Sequence, residues 1–380
     1  MLPIISLLRA CAEGSDNLDP TLFDEQALDW ALETGLGPLL YRAVRNHPDG
    51  LTTEPYRSRL VGADLTAQIM MGDCLSAVEE ILEASPALAK EITLLKGISV
   101  CQCYYPSPHL RTMADIDLLV SKPFLPALES LLADLGYRQQ STLPAEVFEN
   151  NHHGMPYFHP QKQVWIEVHT ALVPLSAKVS ADRIFSLEYV ETQIKSCPRG
   201  GKERNHLSDE LQVVYLATHW VGWQAALKRV GGLMPVLDMI YLLKGRETTL
   251  DWDQILSSLE GSVAATRVYL MLTYLQRHEL AAIPREVMAR LSSRQINPNG
   301  LGASILHRLI DTYLVAGKPY SQIASPRMIG IIWDTLLEPR PARRNLLSLP
   351  WRMLFPPGHQ DRFDPLFQLR RIGSAVGLRR

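Results

Sequence analysis

The chain has 380 residues, a hydrophobic content of 46 % and a formal net charge of −2 at pH 7. That length exceeds one typical domain, and the hydrophobic content is ample for sizeable cores. The charge excludes a polycation that binds nucleic acid with its whole surface. The sequence contains no long uncharged apolar run, so we expect no membrane span.

The spacing of apolar residues changes along the chain. Helical spacing marks residues 1–90, for example from Leu60 to Leu82, and it returns at 208–335, whereas strand-like alternation is confined to 91–200. This pattern predicts an α+β fold, with a small mixed β-sheet core flanked by large helical regions. The predicted segments are an N-terminal helical region at 1–90, a core at 91–205, a C-terminal helical domain at 206–335 and a basic tail rich in proline and arginine at 336–380.

The first strand of the predicted sheet leads into a glycine turn. Residues 92–95 read as a short buried strand that ends at Lys96 and Gly97 and then enters a helix. Glycine lets a backbone approach a ligand closely, and the N–H groups of a helix start face an anion, to which a lysine adds positive charge. An ordinary turn with a surface lysine is the alternative interpretation.

Two carboxylates, Asp115 and Asp117, lie on the next predicted strand. Side chains alternate between the faces of a strand, so both acids point one way, while Ile116, Leu118 and Val120 point into a core. Two carboxylates on one face are costly without a cation, and hard oxygen ligands at this spacing suit Mg²⁺ or Mn²⁺. A solvated strand end is the alternative interpretation.

A third acid, Glu167, lies on a later predicted strand at 164–169. Valine and isoleucine alternate there with Glu167 and His169, which therefore share a face. Beside the strand of the two aspartates, this strand would bring a third carboxylate to the metal, and His169 could support a ligand or contact a phosphate. Taken alone, Glu167 could equally be a solvated residue on the open face of a sheet.

Four further polar residues are interpreted as supporting groups. His152 and His153 are expected in a loop near the mouth of the site, and their spacing matches no standard zinc motif. Asp238, on a helix, is expected to be a structural hydrogen-bonding acid. His219 is expected to pack beside Trp220 on another helix.

The order of these elements leads to a family resemblance. Strand, glycine turn, helix, a strand with two aspartates and a strand with a third acid follow one another in the nucleotidyltransferase fold of the polymerase-beta type. The runs Leu94–Gly97, Leu110–Val120 and Val164–Leu172, with Tyr105-Pro106 between the first two, resemble a bacterial family of largely uncharacterised nucleotidyltransferases. Weaker likeness continues through the helical half, so the resemblance covers most of the chain.

The resemblance implies a metal-dependent enzyme that moves an NMP group from an NTP, such as ATP, to a hydroxyl of a small molecule, glycan precursor, peptide or protein. It implies that Asp115 and Asp117 hold Mg²⁺ (or Mn²⁺) against the phosphates, and that Glu167 completes the metal site and helps to deprotonate the acceptor. The residues that we expect in the nucleotide-binding site are Lys96, Gly97, Ser99, Arg111 and His169.

The sequence departs from the wider fold at the glycine turn. The fold usually has Gly-Ser there, whereas this chain has Lys96-Gly97-Ile98-Ser99. The interval from Gly97 to Asp115, with 17 intervening residues, is also longer than usual. Both departures concern phosphate binding and leave the three carboxylates in place.

Two other functions are compatible with the residues. A glycosyltransferase could bind a sugar nucleotide through Mn²⁺ at the two aspartates, but several alternating strands and helices normally precede that motif, and here only one strand does. A helical interaction protein built on a degraded transferase core is the second alternative. The presence of all three carboxylates argues against it.

The last 41 residues are basic, with nine arginines against two aspartates between 340 and 380. Such a tail can contact a membrane surface, RNA or an acidic partner, or form a solvated terminal helix. The five cysteines lack zinc-site spacing, and an odd number leaves one unpaired, so we expect reduced thiols. Because the start also lacks signal-peptide features, the sequence predicts a protein of the bacterial cytoplasm.

Overall fold

The computed structural model describes residues 25–45, 56–141, 152–174, 178–199, 202–221, 233–294 and 301–311, together with a few single positions. The arginine-rich tail lies outside the described residues. Within these ranges, none of the helices has both the length and the apolar character that a membrane crossing needs. The division into four segments stays a prediction.

The described residues form a mixed α+β structure, as predicted. The strands are β1 Thr93–Leu95, β2 Asp115–Leu119, β3 Arg138–Gln139, β4 Tyr157–His159, β5 Val164–His169, β6 Ile194–Arg199 and β7 Lys202–Leu207. The helices are α1 Glu25–Glu33, α2 Gly37–Val44, α3 Tyr56–Ala84, α4 Pro86–Ala89, α5 Lys96–Cys103, α6 Leu125–Asp134, α7 Leu187–Thr192, α8 Asp209–Val221, α9 Met234–Gly245, α10 Trp252–Ser258, α11 Ala264–Arg277, α12 Arg285–Arg294 and α13 Leu301–Leu309. Short 3₁₀ turns lie at Pro108–Leu110, Lys122–Phe124, Lys178–Ala181 and Arg183–Phe185.

The seven strands form one mixed sheet in the order β3-β4-β5-β2-β1-β7-β6. β2 lies at its centre, parallel to β5 and antiparallel to β1. The register places Asp117 of β2 opposite Glu167 of β5 on one side and Leu95 of β1 on the other. Because directly paired residues point to the same face, Asp117 and Glu167 project together.

The two faces of the sheet pack against different cores. One core joins the sheet to α3 and α6 and contains Ile116, Leu118, Ile166, Val168, Val78, Ile81, Leu128 and Leu132. The other face contributes Leu95, Leu119 and Leu207 to a larger core with α8, α9 and α11. The alternation predicted for β2 and β5 is confirmed, and the polar residues of both strands lie on the side of the larger core.

Local sequence signals account for the ends of several elements. β6 and β7 pair as an antiparallel hairpin with Arg199 opposite Lys202, where the sequence predicted a turn. Ser208 then caps α8, since its Oγ accepts a hydrogen bond from Leu211 N at 3.2 Å. The same hydroxyl lies 3.0 Å from Gln193 Oε1, so the cap is tied to the residue before β6.

Gly35 joins the N-terminal helices to the chain that precedes β2. It separates α1 from α2 in a left-handed conformation, with φ at +80°. Its carbonyl accepts a hydrogen bond from Thr112 Oγ1 at 3.0 Å. A Cβ added at this glycine would collide with the same hydroxyl. The position therefore requires glycine both for its backbone and for this close approach.

Replacing Gly35 with alanine should lower the free energy of unfolding by about 2 kcal/mol, because a left-handed backbone costs a non-glycine residue ~1–2 kcal/mol and the new methyl group meets Thr112. Urea unfolding measures the difference. Gly62 in α3 is the control, because a Cβ there meets nothing within 4 Å. Gly62→Ala should raise stability by about 0.5–1 kcal/mol. An unchanged or raised stability in Gly35→Ala would contradict this assignment.

Candidate functional site

The carboxylate of Asp117 is the centre of a charged cluster on the polar side of β2. Its Oδ1 accepts hydrogen bonds from Lys96 Nζ and from His169 Nε2, each at 2.7 Å. Glu167 Oε2 lies 4.0 Å from Lys96 Nζ and 3.7 Å from His169 Nε2. Side chains from the start of α5, from β2 and from β5 therefore meet at one point.

The turn from β1 into α5 brings Lys96 to this point. Leu95, the last residue of β1, is paired with Asp117, and Lys96 follows directly as the first residue of α5. Lys96 has a φ of +43°, a conformation that is uncommon for a residue other than glycine. The side chain is 20 % exposed, whereas that of Asp117 is 3 % exposed. The strained turn thus places the ammonium group of Lys96 beside the almost fully buried carboxylate of Asp117.

The environment sets the charge of each group. Burial alone would lower the pKa of Lys96, but attraction to Asp117 and Glu167 outweighs it and raises that pKa above its usual range. Burial alone would raise the pKa of Asp117, but Lys96 and His169 together hold it well below its usual range. Burial and the neighbouring ammonium lower the pKa of His169. At neutral pH Lys96 is therefore an ammonium, Asp117 a carboxylate and His169 a neutral imidazole.

The hydrogen bond to Asp117 also assigns the tautomer of His169. A carboxylate can only accept, so Nε2 carries the proton and Nδ1 is left as an acceptor. Nδ1 is buried, and no described residue offers it a hydrogen bond. The rings of His152 and His153 lie 5.1 and 5.3 Å from the ring of His169. The two histidines predicted near the mouth of the site are thus its neighbours.

A divalent cation fits part of this cluster. One ligand atom from each of Asp117, Glu167 and His169 lies within 4.8 Å of the others. Carboxylate oxygens suit Mg²⁺ and Mn²⁺, and an imidazole nitrogen also suits a transition metal ion. To act as a ligand through Nε2, His169 would transfer its proton to Nδ1 and give up the hydrogen bond to Asp117. The ammonium of Lys96 is bound to the same carboxylate, so an ion placed there would share Asp117 with it.

Asp115 lies outside that compact group, although it is two residues from Asp117 on the same strand. Burial raises its pKa to about 7, and the negative charges of Asp117 and Glu167 add to this effect. Two of the three acids predicted for the metal site, Asp117 and Glu167, thus lie close together with His169. The third acid, Asp115, is not part of that group. Its role as a metal ligand stays a prediction.

Arg111 is engaged in a buried ion pair with the helical region. Its Nε donates to Asp238 Oδ1 at 3.0 Å and its Nη2 to Asp238 Oδ2 at 2.9 Å, while Tyr105 Oη donates to Oδ1 at 2.8 Å. Asp238 is therefore the structural acid that the sequence predicted. This pairing directs the guanidinium towards α9, and contact of Arg111 with a phosphate stays a prediction.

The other two residues predicted near the phosphates lie within α5. Ser99 is buried, and its Oγ lies 2.9 Å from His206 Nδ1 of β7. Gly97 packs against the chain before β2, where an added Cβ would lie 3.1 Å from Met113 Sδ and 3.2 Å from Arg111 Nη1. Both residues hold the start of α5 against its neighbours. Their contact with a nucleotide stays a prediction.

Sequence reasoning missed two residues of α8, Tyr215 and His219. The hydroxyl of Tyr215 is close enough to interact with the charges of Lys96, Asp117 and Glu167. Burial lowers the pKa of His219 to about 3, with a further contribution from Lys96. The available signal was their four-residue spacing in a largely apolar helix, which places both on one face. His219 was interpreted only as a partner of Trp220.

Comparison with known proteins identifies the family to which the chain belongs. A family model described as an uncharacterised nucleotidyltransferase matches residues 23–278. The match covers more than half of the chain and includes the whole sheet and α8, so the chain belongs to this family. No curated protein and no solved structure shows significant similarity to the chain.

Replacing Lys96 with methionine should lower the free energy of unfolding at pH 7 by about 3 kcal/mol, because it removes one partner of a buried ion pair. The loss should shrink as the pH falls towards 4. Without the ammonium, the pKa of Asp117 in the folded variant rises from its lowered value, so the carboxyl group is protonated at a higher pH than in the wild type and the cost of its unpaired charge falls. Urea unfolding at both pH values measures the two differences.

The matched control is Lys162→Met, since Lys162 pairs with Glu80 at a more exposed position. Its effect should stay below about 1 kcal/mol at either pH. A loss for Lys96→Met that is the same at pH 7 and pH 4 would contradict the assignment of Asp117 as its charged partner.

Proposed function

We propose that this member of the uncharacterised nucleotidyltransferase family is a metal-dependent enzyme that transfers an NMP group from an NTP to a hydroxyl acceptor. The observation that carries the proposal is the meeting of Asp117, Glu167, His169 and Lys96 at one point of the sheet. It combines ligand atoms for a cation with a positive charge for an anion. A metal-bound polyphosphate needs both.

The acids of β2 and β5 would hold the metal ion. Asp117 and Glu167 would provide oxygen ligands for Mg²⁺ or Mn²⁺, with Asp115 and His169 beside them. When bound, such an ion supplies positive charge that neutralises and orients the phosphate oxygens.

Lys96 would bind the phosphates. An ammonium group has three N–H donors, and the described hydrogen bond to Asp117 uses one of them. The side chain is 20 % exposed, so the remaining donors can reach a ligand. Each hydrogen bond from an ammonium to a phosphate oxygen is charge-assisted, and two would fix the position of the polyphosphate.

Glu167 is best placed to act on the acceptor. Its side chain is 22 % exposed, compared with 3 % for Asp117, so it is the more accessible of the two paired acids. In the proposed step the acceptor oxygen attacks the α-phosphorus and the bond to the β-phosphate oxygen breaks. Pyrophosphate leaves, and the hydroxyl proton passes to Glu167.

The described topology gives no support to the glycosyltransferase alternative. In the described part of the chain a single strand, β1, precedes the two aspartates, and it pairs antiparallel with their strand. The transfer assay distinguishes the non-catalytic alternative from the proposed enzyme, because that alternative predicts that no NTP yields a product.

Glu167→Gln should lower the rate of NMP transfer by at least about 100-fold, because the amide cannot accept the acceptor proton and is a weaker metal ligand. The assay incubates the chain with Mg²⁺ or Mn²⁺, each NTP in turn and an extract of the source cells, and follows released pyrophosphate and any molecule that gains the mass of an NMP. Glu91→Gln is the control, since Glu91 is exposed and lies before β1.

The control should keep the wild-type rate. A wild-type rate in Glu167→Gln would remove the acid from the proposed mechanism. Absence of pyrophosphate and product with every NTP in the wild-type chain would favour the non-catalytic alternative.

A further inference from the structure

One face of α8 carries two polar side chains near the Asp117 cluster. The proposed reaction does not use either of them. Tyr215 and His219 are one helical turn apart, and their ring centroids lie 6.2 Å from each other. The start of α8 is fixed beside the end of α5, because Tyr104 Oη donates to Asp209 Oδ1 at 2.6 Å. Tyr215 belongs to the larger core that covers the polar side of β2, and its hydroxyl is near enough to Lys96 to interact with that charge.

The hydroxyl of Tyr215 is buried without a described partner. The residue is 1 % exposed, and no group in the described part of the chain lies within hydrogen-bonding distance of its Oη. Most buried polar atoms have a partner, so such a group requires an explanation. His169 Nδ1, in the same cluster, is also buried and unpartnered among the described residues. Two buried polar atoms near the cluster thus lack a described partner, and a bound ligand could supply one.

The surroundings of this hydroxyl identify the chemistry that it suits. Lys96, Asp117 and Glu167 are near enough to influence its ionisation, and burial raises its pKa, so it remains an O–H donor at neutral pH. A neutral phenol is a poor ligand for Mg²⁺, which is served by the carboxylates. A donor near an ammonium group suits an anion with several oxygens, and in the proposed reaction that anion is the polyphosphate of the nucleotide.

We propose that Tyr215 is a polyphosphate-binding residue, whose hydroxyl donates a hydrogen bond to a non-bridging phosphate oxygen of the bound nucleotide. The inference rests on the proposed function. It makes α8 a second element of the nucleotide-binding site, in addition to the turn that carries Lys96. The nucleotide would then be held between the start of α5 and the middle of α8.

The test compares Tyr215→Phe with a matched control, Tyr137→Phe. The hydroxyl of Tyr137 is likewise buried and unpartnered among the described residues, but it belongs to the core on the opposite side of the sheet. Each substitution removes one oxygen atom from a buried ring, so both variants should melt within about 3 °C of the wild type. Differences in binding then report the ligand contact.

Calorimetry measures two ligands in the presence of Mg²⁺: an ATP analogue that cannot be cleaved between the α and β phosphates, and inorganic tripolyphosphate. Tyr215→Phe should weaken the binding of both by roughly 10- to 100-fold, as expected for a hydrogen bond to a charged group. Tyr137→Phe should bind both like the wild type.

The other outcomes overturn the inference in distinguishable ways. Wild-type affinity in Tyr215→Phe would make Tyr215 a packing residue and leave the proposed function standing. A loss for the ATP analogue alone would place the hydroxyl on the sugar or base and not on phosphate. Failure of the wild-type chain to bind either ligand would overturn the proposed function together with this inference.

Discussion

The buried carboxylate of Asp117 is the constraint on which the site depends. A charge in this position is costly unless it is paired and hydrogen-bonded, and one of its oxygens receives both the ammonium of Lys96 and the imidazole of His169. Each partner comes from a different neighbour of β2: Lys96 follows β1 and His169 ends β5. The central strands must therefore keep their register, since a shift of one residue would turn the acid into the opposite core.

The helical regions hold the chain that leads into β2 from two sides. The carbonyl of Gly35 binds Thr112 from the N-terminal side, and Asp238 of α9 binds Arg111 from the C-terminal side. This ion pair is buried, so breaking it would leave an unpaired charge in the core. The helices thus serve the site indirectly, because they fix the start of the strand that carries Asp117.

Local patterns allowed much of this structure to be predicted. Period-two alternation identified β2 and β5 and the face of each strand that carries acids, and turn and capping residues located the β6–β7 hairpin and the start of α8. The pairing of Arg111 with Asp238 and the approach of Tyr215 to Lys96 were not predicted. These interactions join residues more than one hundred positions apart, and no local spacing encodes them. Lys96 was predicted to lie near an anion. Its hydrogen bond to Asp117 was not predicted, because it depends on a left-handed backbone conformation that lysine rarely adopts.

The central claim is that the Asp117 cluster receives a metal-bound polyphosphate, with Lys96 as the phosphate-binding group. The most direct measurement is a calorimetric titration of the wild-type chain and of Lys96→Met with Mg²⁺ and the uncleavable ATP analogue, after circular dichroism has shown that both are folded. We predict saturable binding to the wild type and an affinity for Lys96→Met that is roughly 10- to 100-fold lower, the loss of a charge-assisted hydrogen bond. Equal affinities in the two proteins, or no binding to the wild type, would contradict the account.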